Sequence, residues 1–552
     1  MKRFWIYILL FVFILPVIYP LLTSYFYHFS DEPNISLIYE MSRALESGHF
    51  PPRWIADVSY NYGHPLFNFY YPLPFMIGAV LFKVFGSLVG SIKIYFLLTV
   101  FVSCFGMYGL LRKHTSSFLA FTGALIYVYT PYRAVNLYVR GAIGELTAFA
   151  LAPLVCLAIY KLFERVNFKN IGILGAVLAL FILGHNLALM IFVPWFLVYG
   201  IYLYLKKPSK RTFIKAFIAS FVLGISVSFY WLFPAVVEKI LLVVQTPFDY
   251  KDHFPFLRQL LYSPFKYGAS QPGLYDDISL QIGIANLLLV AITIKSLIIF
   301  KKNKKLFPFL TLGAFFFSVF LMNIRSSFLW EAFSLSTYFQ FPWRILMFTT
   351  FLTAFMIVFV KSRIIGAILL IIALINTISY FVPSEYFKPD DDYYMKRMFA
   401  NRIIEGRSEE SAEYKNYSED FLLLPVWTEE RPSSLPSAKI ESDTAKVENI
   451  IEISPYEFRA NIISDQISQI AINNYYFPGW SVYVDGQRIN TFPLKPYGNI
   501  GFIVNEGEHN LSVLWEETPL RKIANGVSIL GLTVALVMIF IIPEKKKKDE
   551  VK

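Results

Sequence analysis

Charged and imidazole side chains are sparse in this sequence, and the ones that border its long apolar runs are the candidates for chemistry. Asp31 and Glu32 follow the first run, with His64 in the connection beyond them. Arg133 and Arg140 follow the third run and Glu145 opens the fourth. His185-Asn186 fills a tight turn between the fifth and sixth, and Gln340 and Arg344 open the tenth. Ionisable groups at the ends of membrane-crossing segments are costly, and by default mark function. The set suits transfer from a lipid-phosphate-linked donor. A carboxylate near an acceptor hydroxyl can take its proton during attack, a task for Asp31 or Glu32. A departing phosphate or pyrophosphate needs cationic or N–H donors, which Arg140, His185 and Arg344 can supply. Arg133, Glu145, Asn186, Gln340 and His64 stand ready to support them. The aromatic run Tyr60, Tyr62, Phe67, Phe69, Tyr70 and Tyr71 can stack on sugar rings or cover a lipid headgroup.

Each position also has a plainer reading. Asp31-Glu32 directly before Pro33 can cap a helix. The arginines can snorkel or pair with Glu145 as structural ties. His185 can be a hydrogen-bonded turn residue, and the aromatic residues an interface belt.

The elements that must position these residues follow from hydropathy. In 552 residues, 56% are apolar, 18% aromatic and only 16% charged, which excludes a single water-soluble domain. Runs able to cross about 30 Å of hydrocarbon are 4–22, 93–111, 117–131, 144–163, 170–184, 187–205, 212–233, 279–300, 306–323, 341–360, 363–382 and 521–542. They predict a polytopic α-helical membrane protein with about twelve spans, the first a retained signal-anchor. Placing both termini in the cytoplasm puts Lys2-Arg3, Arg112-Lys113 and the basic clusters 161–169, 206–215, 301–305 and 361–363 inside, with the tail 543–552. The acids among these segments are only Glu164, Glu544, Asp549 and Glu550, so the net charge of +11 arises from topogenic lysines and arginines and the rest of the chain is net negative. Counting 72–86 as a span would invert this pattern. That stretch is therefore read as a re-entrant or interfacial helix on the outer face.

The outer parts are then a first loop, 24–92, with an amphipathic helix through Ile35, Ile38, Met41 and Leu45; a second loop, 234–278; and an extracytoplasmic insert, 383–520. The insert starts polar (DDDYYMKRM, EGRSEESAEYKNYSED), as helix and loop, and alternates in strand fashion from about Lys446. Asp485-Gly486 marks a hairpin in a small β-sandwich over about 446–518, completing an α+β insert. The domains are thus 1–382, 383–520, a last span at 521–542 and the basic cytoplasmic tail 543–552. Cys104 and Cys156 both lie in apolar runs, so no disulfide framework exists. No Walker loop, dinucleotide fingerprint, CxxC or HExxH spacing is present, and the scattered basic residues exclude a nucleic-acid partner.

The stretches FPPRWIADVSYNYGHPLFNFYYPLPFMIGAVL (50–81), TPYRAVNLYVRGAIGELTAFALAPL (130–154), GHNLALM (184–190) and FQFPWRIL (339–346) resemble the prokaryotic 6-pyruvoyl-tetrahydropterin synthase-related membrane proteins. YYFPGWSVYVDGQ (475–487) with EGEHNLSVLW (506–515) is similar to the end of YfhO-like proteins. The pattern of a zinc pterin synthase is missing. These families resemble the GT-C glycosyltransferases, which use polyprenyl-phosphate sugars and carry an essential carboxylate in the first outer loop, followed by a re-entrant helix. The resemblance implies an inverting hexosyl or pentosyl transferase of the cell envelope, with a lipid-linked donor and a glycan, polymer or protein acceptor. It makes Asp31 the acidic residue, with Glu32 second, and Glu145 the orienter of Arg140. GT-C enzymes differ in their use of magnesium or manganese, and no metal ligand is assigned; Asn34 stands where a histidine often follows the aspartate. The alternative is a non-enzymatic transporter or assembly factor for lipid-linked glycans, which calls for polar groups on both leaflets.

Overall fold

The computed structural model describes residues 2–207, 209–244, 249–399, 401–404, 407–410 and 423–542. Among these, seven helices are long and apolar enough to cross a membrane: Phe4–Leu22, Leu88–Leu111, Ile143–Glu164, Asn186–Lys206, Pro342–Phe359, Arg363–Tyr380 and Pro519–Ile541. Two further pairs would make nine, but each is bent, Lys210–Val227 with Phe229–Leu241 by 73° and Leu306–Leu321 with Ile324–Ala332 by 91°. The other three predicted spans form shorter helices, Ser117–Val128, Phe168–Gly184 and Ile284–Ile299. Every predicted run is thus helical, while the expected twelve full-length spans reduce to seven to nine. Hydropathy registers the apolar run but not the backbone breaks that interrupt it.

Side-chain caps set several helix starts. Ser87, Ser116, Asn167, Ser362 and Thr518 each accept a backbone N–H from the first turn of the helix that follows. Apolar residues such as Ile364, Ile375, Ile529, Leu530 and Phe540 remain well exposed on these helices, as lipid-facing residues do. The helix predicted as re-entrant or interfacial is Leu73–Phe85, and it packs against the amphipathic helix Pro33–Glu46. Gly78 makes this packing possible, because a Cβ there would come within 2.7 Å of Ile38.

The C-terminal domain holds nine strands: β1 (Ile440–Glu441), β2 (Ala445–Ser454), β3 (Glu457–Ser464), β4 (Ser468–Tyr475), β5 (Trp480–Val484), β6 (Gln487–Ile489), β7 (Phe492–Leu494), β8 (Asn499–Val504) and β9 (Gly507–Trp515). They form antiparallel sheets in the orders β6-β5-β9-β3-β2 and β7-β8-β4-β1. Phe458, Ile462, Ile470, Ile472, Val482, Phe502 and Val513 are buried in a core shared by the two sheets. Asp485 and Gly486 both have positive φ, 49° and 78°, and turn β5 into β6 as the Asp-Gly pair requires. The preceding polar segment supplies the helix Asp391–Met398; most of 405–420 and the whole of 543–552 lie outside the described residues. A short ladder between Leu242–Val244 and Leu423–Pro425, absent from the sequence reading, joins the loop after Leu241 to this domain.

The domain rests on the first interhelical connection through two polar clusters. In one, Arg53 donates to Glu517 at 2.6 and 2.9 Å and to Asn68, whose amide donates to Glu238 at 2.6 Å; Glu238 in turn accepts from Arg521 at 3.0 Å. Arg53 and Arg521 are almost wholly buried, so each guanidinium depends on its carboxylate partner. In the other, Arg43 bridges Glu40 and Asp57, beside Glu452 of β2. Lys439 donates to the Asn61 and Asn473 carbonyls at 2.7 and 3.3 Å. Burial, reinforced by Asp57, pushes Glu40 up to about 8.

Candidate functional site

The helix Ser117–Val128 does not run on through residue 131. After Thr130 the chain forms a short turn, Pro131–Ala134, then a π-helical segment, Val135–Arg140, and enters the next helix at Ile143. Gly141, at φ +63°, ends the π segment, and a Cβ there would lie 2.1 Å from the Phe29 ring. This close approach lets the segment carrying Asp31 lie along the π turn: Ser30 N–H donates to Val139 O at 3.0 Å and Asp31 N–H to Arg140 O at 2.8 Å. Asn34 Nδ2 adds a bond to Gly141 O at 3.4 Å. Single-turn π elements recur at functional sites.

Arg140 is held from one side only. Its Nη1 donates to Glu145 Oε1 and Asn136 Oδ1, each at 2.7 Å, and the Trp343 ring lies 4.8 Å from its guanidinium carbon. Among the described residues its Nε and Nη2 make no hydrogen bond, leaving a two-donor edge open. Glu145 is fully engaged, since its Oε2 accepts from Tyr132 at 2.6 Å and Asn136 at 3.1 Å. Arg344 lies 3.8 Å from Glu145 Oε1 and donates to Gln340 at 3.0 Å, with its buried Nε making no hydrogen bond.

His185 joins this group across Gly144, where a Cβ would meet the His185 ring at 2.1 Å and Tyr71 at 2.6 Å. His185 Nδ1 accepts the Ala188 N–H at 3.1 Å, capping the helix Asn186–Lys206. The proton of the neutral ring is therefore on Nε2, which becomes a donor. Burial keeps the ring neutral, pushed down to about 3. The plainer reading of this histidine holds: it caps the helix through Nδ1, and its Nε2–H is left as a donor on the side of the cluster.

Asp31 is half-buried, and among the described residues no group hydrogen-bonds its carboxylate. Its titration is raised above the ordinary aspartate range by burial, against the pull of Arg140 and Arg344, with Glu145 adding to the rise. Glu32 points elsewhere, into His28 at 2.8 Å and Arg397 at 3.5 Å. Neither acid caps: Glu32 is the N-cap position of Pro33–Glu46 and makes no capping bond. The two neighbouring carboxylates thus separate into an unbonded one facing guanidinium groups and one tied in an ion pair.

Asp31, Arg140, Glu145, His185, Gln340 and Arg344 form one cluster. Three other candidates stand apart. Arg133 is fully buried between helices, donating to Ser103 at 2.6 Å and Thr99 at 3.2 Å. Asn186 is exposed and bonds the backbone of Leu187. His64 lies against Tyr475 of β4. The aromatic run divides: Tyr71 lines the cluster, 4.9 Å from His185, whereas Tyr62 packs on Tyr475 and Tyr497, and Phe69 on Phe477. Half of the run, Tyr60, Tyr62 and Phe69, packs with the sandwich core, and Phe67, Tyr70 and Tyr71 pack with the helices. Tyr132, Asn136 and Trp343 complete the cluster without having been singled out in the sequence. They are neutral side chains inside motifs already quoted, and their role shows only through their partners.

Two guanidinium groups, an imidazole N–H and one carboxylate without a hydrogen bond come together here, and among the described residues no group of three or more His, Cys, Asp or Glu is placed to hold a metal. A divalent cation would meet Arg140 and Arg344 in the same space, so this donor set does not fit one.

Membrane-crossing helices, a π turn at one end of them, and a cluster of buried ionisable side chains at that turn define a polytopic membrane protein with a polar site at the bundle's end. The chain belongs to the 6-pyruvoyl-tetrahydropterin synthase related family of membrane proteins, whose profile matches residues 67–386. No curated protein matches the chain. Among solved structures, arabinofuranosyltransferase AftD from Mycobacteria, determined by single-particle cryo-EM, is similar at 14% identity with a TM-score of 0.44, over 70% of this chain and 28% of that one.

Proposed function

We propose that this protein is a glycosyltransferase that takes its sugar from a polyprenyl-phosphate donor at the outer face of the cytoplasmic membrane and passes it to a glycan, polymer or protein acceptor. The observation that carries the reading is the unbonded Asp31 carboxylate beside the open donor edges of Arg140 and Arg344. In the reaction, an acceptor oxygen attacks the anomeric carbon while Asp31 takes its proton. The bond from that carbon to the phosphate oxygen breaks, and its electron pair stays on the phosphate. Arg140, Arg344 and the Nε2–H of His185 hold the charge that collects there. Glu145 positions Arg140 and is not itself available as a base, because both its oxygens accept hydrogen bonds. The raised titration of Asp31 suits a base, since a more basic carboxylate accepts the proton more readily. The concentration of Lys and Arg in the loops at the other end of the bundle supports reading this end as the outer one.

The test is Asp31→Asn in the full-length protein, assayed by transfer from a polyprenyl-phosphate sugar or by cell-surface glycan content. Loss of about 10²–10⁴-fold is expected for removal of a general base. Full activity in a folded Asp31→Asn protein would remove the assignment.

A further inference from the structure

Among the described residues, the loop between Leu241 and Ile284 contributes none to the cluster, yet it grips the ring that covers Arg140. Trp343 donates its indole N–H to Ser270 Oγ at 3.1 Å. The same hydroxyl contacts His253 Nδ1 at 3.0 Å and Asp276 Oδ2 at 3.3 Å. A serine hydroxyl has one proton and two lone pairs. With Asp276 ionised, the proton goes to its carboxylate and the lone pairs take the N–H groups of Trp343 and His253, so the hydroxyl is saturated in one orientation. Asp276 is fixed in turn by the backbone N–H groups of Gln271 and Ile278, at 3.0 and 3.3 Å. Phe341 stacks on Trp343 with ring centres 5.1 Å apart and meets His253 edge-on at 4.8 Å. The indole, 2% exposed, therefore has its rotation set by Ser270 of this loop and its plane by Phe341, which His253 of the loop abuts.

Resting on the phosphate-site reading above, we propose that Ser270 is a positioning residue for that site. By taking the Trp343 N–H it fixes the ring over the Arg140 guanidinium, and so keeps the Nε–Nη2 edge turned toward the ligand. The ring closes one face of the guanidinium, and Glu145 with Asn136 occupies Nη1, so a lateral approach to that edge remains for an anion. Loosening the ring lets the guanidinium turn about its bond to Glu145 and lose the two-pronged contact.

The measurement is binding of farnesyl phosphate, a short polyprenyl phosphate, to the full-length protein in lipid nanodiscs. Arg140→Ala is expected to weaken binding by at least about tenfold, the loss of a charged hydrogen-bonding partner. Ser270→Ala is expected to weaken it about fivefold, the loss of one positioning hydrogen bond, while Ser270→Thr, which keeps the hydroxyl, restores it. Trp343→Phe, which keeps a ring but lacks the N–H, should match Ser270→Ala, and the double variant should lose no more than either single one. If Ser270→Ala binds as the unaltered protein does while Arg140→Ala does not, the proposal fails and the phosphate site stands. Additive losses in the double variant also overturn it. If the unaltered protein and Arg140→Ala bind alike, the phosphate reading falls and the proposal with it.

Discussion

A carboxylate kept half-buried without a hydrogen bond is a costly arrangement, and at Asp31 the cost is borne opposite two guanidinium groups. Its raised titration gives a directional prediction. A base works only when deprotonated, so activity should fall as pH drops through the Asp31 value, with the acid limb above the ordinary aspartate range of about 4. A pH–rate profile whose acid limb lies at or below that range would contradict the environment described. The charged members of the cluster were legible in the sequence, because Asp31, Arg140, Glu145, His185 and Arg344 are ionisable groups in apolar surroundings. The division between Asp31 and Glu32 was not, since both acids precede the same helix and only the partners of each, His28 and Arg397 for Glu32, tell them apart.

The elements position these residues through small residues at two places. Gly141 admits Phe29, and Gly144 admits His185 and Tyr71, so the Arg-Gly-Ala-Ile-Gly-Glu stretch is a set of close approaches alternating with charge. Gly144→Ala should push His185 and Tyr71 away from the cluster at about 1–3 kcal/mol of stability, the usual cost of overpacking. Thermal melting should show that loss, and phosphate-lipid binding should weaken with Asp31 and Arg140 still in place. Unchanged melting and binding would mean that the ring gives way freely. The apolar runs were visible as helices because their lengths approach a membrane thickness. The π segment at Val135–Arg140 was invisible, since it falls in the connection between the predicted spans 117–131 and 144–163 and no residue type in it marks an i→i+5 turn. The 73° bend was hidden inside the apolar run 212–233, whereas the 91° bend falls where the run 306–323 ends.

For the whole molecule, the sandwich was readable from strand alternation and its Asp-Gly turn, but not its attachment to the first connection, which joins residues hundreds of positions apart. Glu40 gives that attachment a pH dependence. Its folded-state value, about 8, lies above the unfolded one, so the folded protein holds a proton that the unfolded chain releases. Its contribution is therefore fully present below the unfolded value and declines as pH rises toward about 8. Amide exchange in Pro33–Glu46 and Ala445–Ser454 should quicken, beyond the intrinsic rate, between about pH 4.5 and pH 8, and Glu40→Gln should abolish the change; equal exchange in both proteins would refute it. The Arg53–Glu517 pair has a different consequence, in the order of synthesis. Its partners are 464 residues apart, so at ~5–20 residues per second Arg53 waits roughly half a minute to a minute and a half for its carboxylate. Until then a charge destined for burial has to stay solvated, which keeps the stretch around Arg53 from settling against the last helix. A chain halted before Glu517 would carry every ionisable member of the cluster and leave Arg53 without its carboxylate partner.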